Sequence, residues 1–491
     1  MTTTTAAPAT AAPKQYSHRQ IQVIMSGLML GMLLAALDQT IVSTALTTIS
    51  RDFHRPDLYS WVVTSYLLTS TVTTPLYGKI SDLFGRKRIF QFAIVVFLIG
   101  SVLSGLSQNM YQLIVFRAIQ GLGAGGLMSL AFSIIGDVIP PRERGRYQGY
   151  FGAVFGASSV LGPLIGGFLV DYASWRYVFY VNIPLGIVAL VVINRVLHLD
   201  HRPRRAHIDW IGAVLLVVGM SLLLVGVQDA GQKAAITSTA LYYAVGGLLI
   251  VVAFVVWETR ATEPILPLRL FRNKVFAVSN ALGLITGAVM FGAIIFLPQY
   301  LQTVRSVSPT LSGLRLLPLL AGVLLASIGS GQLISRWGRY KKFVVVGTAI
   351  TTMGIGLLTQ ITVSTNPVVF SMMLFVVGIG LGLFMQTLVL AVQNSIDPAD
   401  MGVGTSAVTF FRTLGGAIGA SVLGAILIEQ EKVSVGHYVA QYGPKAGPLH
   451  AFTHGMDRAY LCAVPVAVIA FGLSFLLREI RLRGTNSGEP A

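Results

Sequence analysis

Two charged residues stand inside long apolar runs, where charge is expensive. Asp38, in LDQTIV at 37–42, is the one Asp or Glu deep within a hydrophobic stretch, and Arg117 sits within LIVFRAIQGLG at 113–123. A charge at bilayer depth costs roughly 3 kcal/mol even on insertion scales, so such residues mark functional sites by default. A carboxyl group in that setting has the chemistry of a proton carrier, because burial disfavours its charged form. The plainer alternative is a carboxylate facing a wet vestibule with no coupling role. Counted along their helices at 1.5 Å per residue, Asp38 and Arg117 lie about 16 and 9 Å below the same surface. That is within reach of a long side chain if the helices adjoin. Otherwise Arg117 satisfies helix ends and carbonyls in its own bundle. A third charge, Arg412, has no acid near it on its own helix. It either attracts an anionic or carbonyl group of a bound molecule or pairs with backbone carbonyls.

A second group lies in a loop. The segment GKISDLFGRKR, residues 78–88, holds Gly78, Asp82, Gly85, Arg86 and Lys87. Asp82 suits the N-terminus of a neighbouring helix, where the dipole favours negative charge. Arg86 suits a carboxylate at the end of another helix, with Asp137 the candidate. Such contacts act as a latch that holds in one conformation and breaks in another. The competing reading is a topology anchor of positive charge. A third group, LGPLIGG at 161–167, contains Gly162, Pro163, Gly166 and Gly167. Small residues let helices approach closely, and proline bends a span. Gly121 with Gly125 and Gly415 with Gly419 have the same close-packing spacing.

Apolar helices must position these residues. Of 491 residues, 54% are hydrophobic and only 11% are charged. An ordinary soluble protein carries roughly 25% charged residues, so soluble and disordered classes are both excluded. A ruler of about 20 apolar residues per crossing predicts fourteen spans, at 21–49, 58–77, 89–107, 111–136, 148–170, 177–196, 210–227, 241–258, 276–300, 313–330, 343–361, 367–392, 403–427 and 458–477. The start, residues 1–20, reads as disordered, and 428–457 as an outer subdomain or lid. Twenty-four of the 35 basic residues fall on the even-loop side, which sets both termini inside by the positive-inside rule. The net charge of +16 is therefore topology and contact with anionic lipid, not nucleic-acid binding.

The chain also repeats itself. GQLISRWGRYK at 331–341 matches the loop at 78–88 in its two glycines seven apart and the arginine that follows. Parallel repeats are one way transporters are built. The expected organisation is a six-helix bundle at 21–200, an inserted hairpin and linker at 201–262, a second six-helix bundle at 263–477, and a tail at 478–491. Other signals are dismissed. GLGAGG at 121–126 has dinucleotide-loop spacing but no strand before it, and no Walker, HExxH or GxSxG motif occurs. One cysteine, Cys462, excludes a disulfide framework and a multi-thiolate zinc site. Neither an enzyme nor a metal centre is expected.

With these motifs in order, the sequence resembles the major facilitator superfamily, and within it the fourteen-span drug:proton antiporters of the DHA2, EmrB/QacA-like type. The loop at 78–88 is similar to the family's signature loop, departing at Leu83, where a basic residue is usual. LDQTIV resembles the branch's acidic motif, 113–123 its arginine motif and 161–167 its antiporter motif, with Ser158 where an earlier glycine is common. Trp175-Arg176, Asn182 through Gly186, Leu297 through Tyr300 and Ser308 through Leu314 match the same branch. The resemblance implies an all-α polytopic fold of two six-helix bundles plus a two-helix hairpin. It implies a monomer in the cell membrane, driven by the proton gradient with no cofactor, exporting hydrophobic or amphiphilic drugs. A helix-5 seal against the other half is also implied. Candidate cavity residues by analogy are Gln39, Trp61, Tyr66, Asn280 and Gln299, with Tyr300, Gln386, Phe410, Phe411 and Arg412. Alternatives are a lipid or endogenous metabolite as cargo on the same fold, and a non-transporting membrane scaffold.

Overall fold

The computed structural model describes residues 18–55, 58–197, 208–235 and 237–482. The predicted disordered start thus falls almost wholly outside the described residues, as do 198–207 of the linker and 483–491 of the tail.

Regular structure among the described residues is entirely helical. The first half holds α1 (His18–Asp52), α2 (Tyr59–Phe84), α3 (Arg86–Leu106), α4 (Met110–Val138), α5 (Pro141–Tyr172), α6 (Tyr177–Tyr180) and α7 (Asn182–Val196). Next come α8 (Trp210–Lys233) and α9 (Ser238–Glu258). The second half holds α10 (Lys274–Ile294), α11 (Phe296–Thr303), α12 (Pro309–Arg315), α13 (Leu317–Trp337), α14 (Lys341–Leu358), α15 (Pro367–Ser395) and α16 (Met401–Ser474). The helices start where the sequence supplies caps. Asn109, Asp209, Thr237, Asn273, Ser308 and Asn366 each accept a bond from an otherwise orphaned first-turn N–H.

Among the described residues, eleven helical runs are long and apolar enough to cross a membrane. α2 and α5 are also long, 26 and 32 residues, but more polar. α16 is two helices merged across Gly443, whose φ of 83° no α-helix contains. The fold therefore has eleven to fourteen long apolar helices, depending on how these are counted. Its surface is inverted relative to a soluble protein. Phe92, Val95 and Ile99 on α3, and Leu248, Leu249 and Val252 on α9, all face outward, as a lipid-facing belt requires.

Rather than a separate subdomain, the segment 428–457 continues the helices on either side of it. The chain turns at Gly443 and comes back with Gly447 against Val439 and Gly455 against the Leu427 carbonyl. α8 and α9 pack on each other, and α8 also touches α2 and α16.

The two most extensive crossings between the halves are α2 on α16 and α5 on α13. Each repeat loop begins at one of them. Gly78 abuts the Gly402 carbonyl and Ser406, and Gly331 abuts the Gly145 carbonyl. At both contacts a side chain would collide with backbone of the other half. Seven residues further on, Gly85 and Gly338 have φ of 97° and 67°, a region glycine occupies without strain. The sequence repeat is thus a structural repeat, turning each loop back toward its own half.

Candidate functional site

Asp38 lies at the centre of a closed polar cluster on α1. Arg117 Nη1 on α4 donates to Asp38 Oδ2 at 2.6 Å. Asp38 Oδ1 accepts from Gln120 Nε2 and from Asn182 Nδ2, both at 2.8 Å. Ser101 on α3 accepts from both amides, at 3.1 and 2.9 Å, and donates to the Phe179 carbonyl at 2.8 Å. Arg117 also donates to Gln120 Oε1 at 2.6 Å, and its guanidinium carbon lies 4.2 Å from the centre of the Tyr66 ring. The Tyr66 hydroxyl is used on the Ala35 carbonyl. Asp38, Gln120, Ser101 and Asn182 are 0% exposed and Arg117 is 1% exposed. The wet-vestibule alternative for Asp38 does not describe this arrangement, and Arg117, within its own bundle, pairs with Asp38 as well as with the Val62 carbonyl.

Local sequence explains the convergence. Gln120 follows Arg117 by three residues, so both project from one face of α4. Gly121 and Gly125 let α4 lie directly on α2, against the carbonyls of Tyr66 and Ser70. Asn182 opens α7 after the short α6, which brings its side chain over α1.

The loop at 78–88 is fully engaged. Asp82 accepts from the backbone N–H of Gly402 at 3.2 Å and of Val403 at 3.1 Å, at the start of α16. Arg86 pairs with Asp82 at 2.5 Å and Asp137 at 2.8 Å, and donates to Ser81 Oγ at 2.6 Å. Lys87 donates to the Asn194 carbonyl on α7, within its own half. Lys79 reaches Glu263 at 2.7 Å, beyond α9. Asp82 and Gly78 therefore join the halves, while Arg86 and Asp137 brace Asp82 from behind.

A polar knot at the same end escaped sequence reasoning. Gln148 on α5 donates to Gln393 Oε1 on α15 at 3.1 Å, and Gln393 Nε2 donates to the Phe132 carbonyl at 3.0 Å. Arg144 ties the Ile139, Gly136 and Gln393 carbonyls together. Their placement near helix ends in two different halves was the only available signal.

The helix-5 motif takes a different role from the one expected. Gly162 and Gly166 face Thr40 and Thr44 of α1, inside the first half. The glycines of α5 that meet α13 of the other half are Gly145, Gly149 and Gly152, set against Gly331, Ile328 and Ser327. Gly167 is half-buried, and the side chain of Pro163 lies outside the described residues.

The cavity candidates scatter. Tyr66 belongs to the Asp38 cluster. Tyr300 is fixed at the far end of the second half, with its hydroxyl on the Thr362 carbonyl and its ring on Phe370, and Gln299 beside it is exposed. Gln39 and Trp61 are half-buried in the first half. Asn280, Gln386, Phe410 and Arg412 are buried in the second half. Phe411 packs edge-on to Phe410 and Phe271.

Two duplicated helical halves, locked at one end and enclosing buried charge, have the build of a membrane transporter. The Major Facilitator Superfamily model matches residues 28–420, and the chain belongs to that family. It is 41% identical over 479 residues to an uncharacterized MFS-type transporter of Mycobacterium tuberculosis (strain ATCC 25618 / H37Rv), covering 94% of this chain and 70% of that protein. It is 37% identical over 415 residues to the multidrug transporter protein MdtP of Bacillus subtilis (strain 168), covering 84% of this chain and 76% of MdtP. The solved proton:xylose symporter XylE superposes with a TM-score of 0.67 at 16% identity, over 96% of this chain and 98% of that one, a likeness of fold.

Proposed function

We propose that this protein is a proton-coupled exporter of hydrophobic or amphiphilic molecules, working by alternating access across the cell membrane. The observation that carries this reading is the closed cluster around Asp38. A buried ion pair is weak evidence for stability, since well-packed apolar residues of similar volume hold a fold as well or better. Its presence on four packed helices therefore points to a switch. A proton on Asp38 cancels its attraction for Arg117 and weakens the bonds from Gln120 and Asn182, loosening α1 from α4 and α7. Each charge carried down the field is worth roughly 2.3 kcal/mol per 100 mV, enough to drive export without nucleotide or other cofactor.

The latch completes the cycle. Asp82 on the start of α16, Gly145 on Gly331 and Gln148 on Gln393 close the inner side; their release opens it. On this reading the chain crosses fourteen times as a monomer, α8 and α9 form an inserted hairpin between two six-helix bundles, and both termini are cytoplasmic. Similarity to a multidrug transporter of Bacillus subtilis and to an efflux pump of Dothistroma septosporum favours drug-like cargo over lipid.

The test is transport in sealed vesicles with an imposed pH gradient, offering amphiphilic dyes, neutral antibiotics and lipids. Uphill movement of a drug-like class that collapses with the gradient supports the reading. Gradient-independent movement, or none, rejects it.

A further inference from the structure

In the first half Asp38 and Arg117 neutralise each other, but in the second half Arg412 has no counter-charge among the described residues. Arg412 is 8% exposed, and its side chain makes no hydrogen bond or ion pair among the described residues, with Nη1 fully buried and unpaired. That removes the backbone-carbonyl reading of this residue. A guanidinium cannot shed its proton in a protein, and an unpaired buried charge costs several kcal/mol. The described residues do not supply its compensation.

Two other buried polar atoms of the second half are equally unfinished. Asn280 Oδ1 on α10 and Gln386 Oε1 on α15 are also buried without partners. Counting 1.5 Å per residue from the nearer helix ends, Asn280, Gln386 and Arg412 lie about 9, 13 and 16 Å deep. Asn280 shares a face of α10 with Gly283 and Gly287, and both glycines face Arg412. Gly287 is shut against the Arg412 carbonyl, but a methyl group at Gly283 would meet only ordinary contacts, the nearest being the Val408 carbonyl at 3.5 Å. The backbones of α10 and α16 therefore stand farther apart at Gly283 than at Gly287. Phe410 and Phe411, the two residues before Arg412, pack edge-on at 5.3 Å, and Phe271 lies 6.1 Å from Phe411, aromatic rings that suit the body of an amphiphile.

We propose that Arg412, with Asn280 and Gln386, receives the anionic group of the cargo, so that the protein's substrates include amphiphilic organic anions. This deepens the export reading by naming its substrate class. The arginine supplies the charge. The two amide oxygens accept from hydroxyl or amide donors beside the anion, and the aromatic rings take the apolar remainder.

Three probes with one body and different charge test it: pyrenebutyrate, pyrenebutanol and pyrenebutylamine. Binding of each to the purified full-length protein is measured by equilibrium dialysis, and transport is followed separately in vesicles. Pyrenebutyrate should bind roughly tenfold tighter than the alcohol, about 1.4 kcal/mol. Arg412→Gln should erase that preference and Arg412→Lys should keep part of it. Equal binding of all three by the unaltered protein overturns the proposal, as does a preference for the anion that survives Arg412→Gln. Binding with charge preference but no gradient-driven movement rejects the export reading and leaves this site standing. Movement of neutral or cationic probes alone does the reverse.

Discussion

The Asn182 amide donates to Asp38 Oδ1 at 2.8 Å and to Ser101 Oγ at 2.9 Å, tying the start of α7 to α1 and α3. Neither acceptor has a route to water, since both are 0% exposed. A hydrogen bond to a charged group is worth about 1.5–3 kcal/mol, and more is lost when the acceptor stays buried and unpaired. Asn182→Leu should therefore reduce gradient-driven export roughly tenfold or more, with normal amounts of protein in the membrane. Vesicle transport at matched protein levels checks this, and unchanged export would show that Asn182 only packs.

Removing one partner of a buried ion pair costs about 3–5 kcal/mol, whereas replacing both with apolar residues is close to neutral. Arg117→Leu alone should lower the thermal unfolding midpoint in detergent. Combining it with Asp38→Leu should restore the midpoint but not transport. A double variant as unstable as the single one would mean that the pair is structural.

Asp82 holds the first N–H groups of α16, and Asp82→Ala removes that hold. In a background with Cys462 replaced by serine, Ser406→Cys beside Gly78 should then label faster with a maleimide reagent from the inner side. An unchanged labelling rate would leave the loop as a charge anchor only.

The glycine contacts separate two roles on one helix. Gly145→Val should wedge α5 off α13, since even a Cβ would lie 2.9 Å from the Gly331 carbonyl. The expected result is an inner side held open, seen as faster labelling of the same cysteine. Gly162→Val meets Thr40 instead, so it should lower the unfolding midpoint without exposing the inner side. Identical behaviour of the two variants would erase the distinction.

The membrane character, the repeat and the residues of the central pair were legible in the sequence, for definite reasons. A carboxylate in a run of apolar residues stands out wherever the chain goes, and so do two glycine–arginine loops of equal length. What surrounds Asp38 was less visible. Gln120 was readable from its spacing to Arg117, but Asn182 and Ser101 are uncharged and lie on other helices, so only tertiary packing reveals them. Spacing marked the helix-5 glycines as a face able to pack closely, as they do on α1, but spacing does not say which helix occupies that face, and the contact with the other half implied by the resemblance is made by glycines nearer the start of α5. Tyr300 was a cavity candidate by analogy alone, which names a helix without giving the depth at which its side chain sits.

Proton exchange by the purified protein tests the central claim most directly. In weakly buffered detergent with a pH indicator, adding cargo should release protons from the unaltered protein, in proportion to the amount bound. Asp38→Asn should bind cargo yet release none. Equal release from both proteins would place the exchanged proton elsewhere and contradict the account.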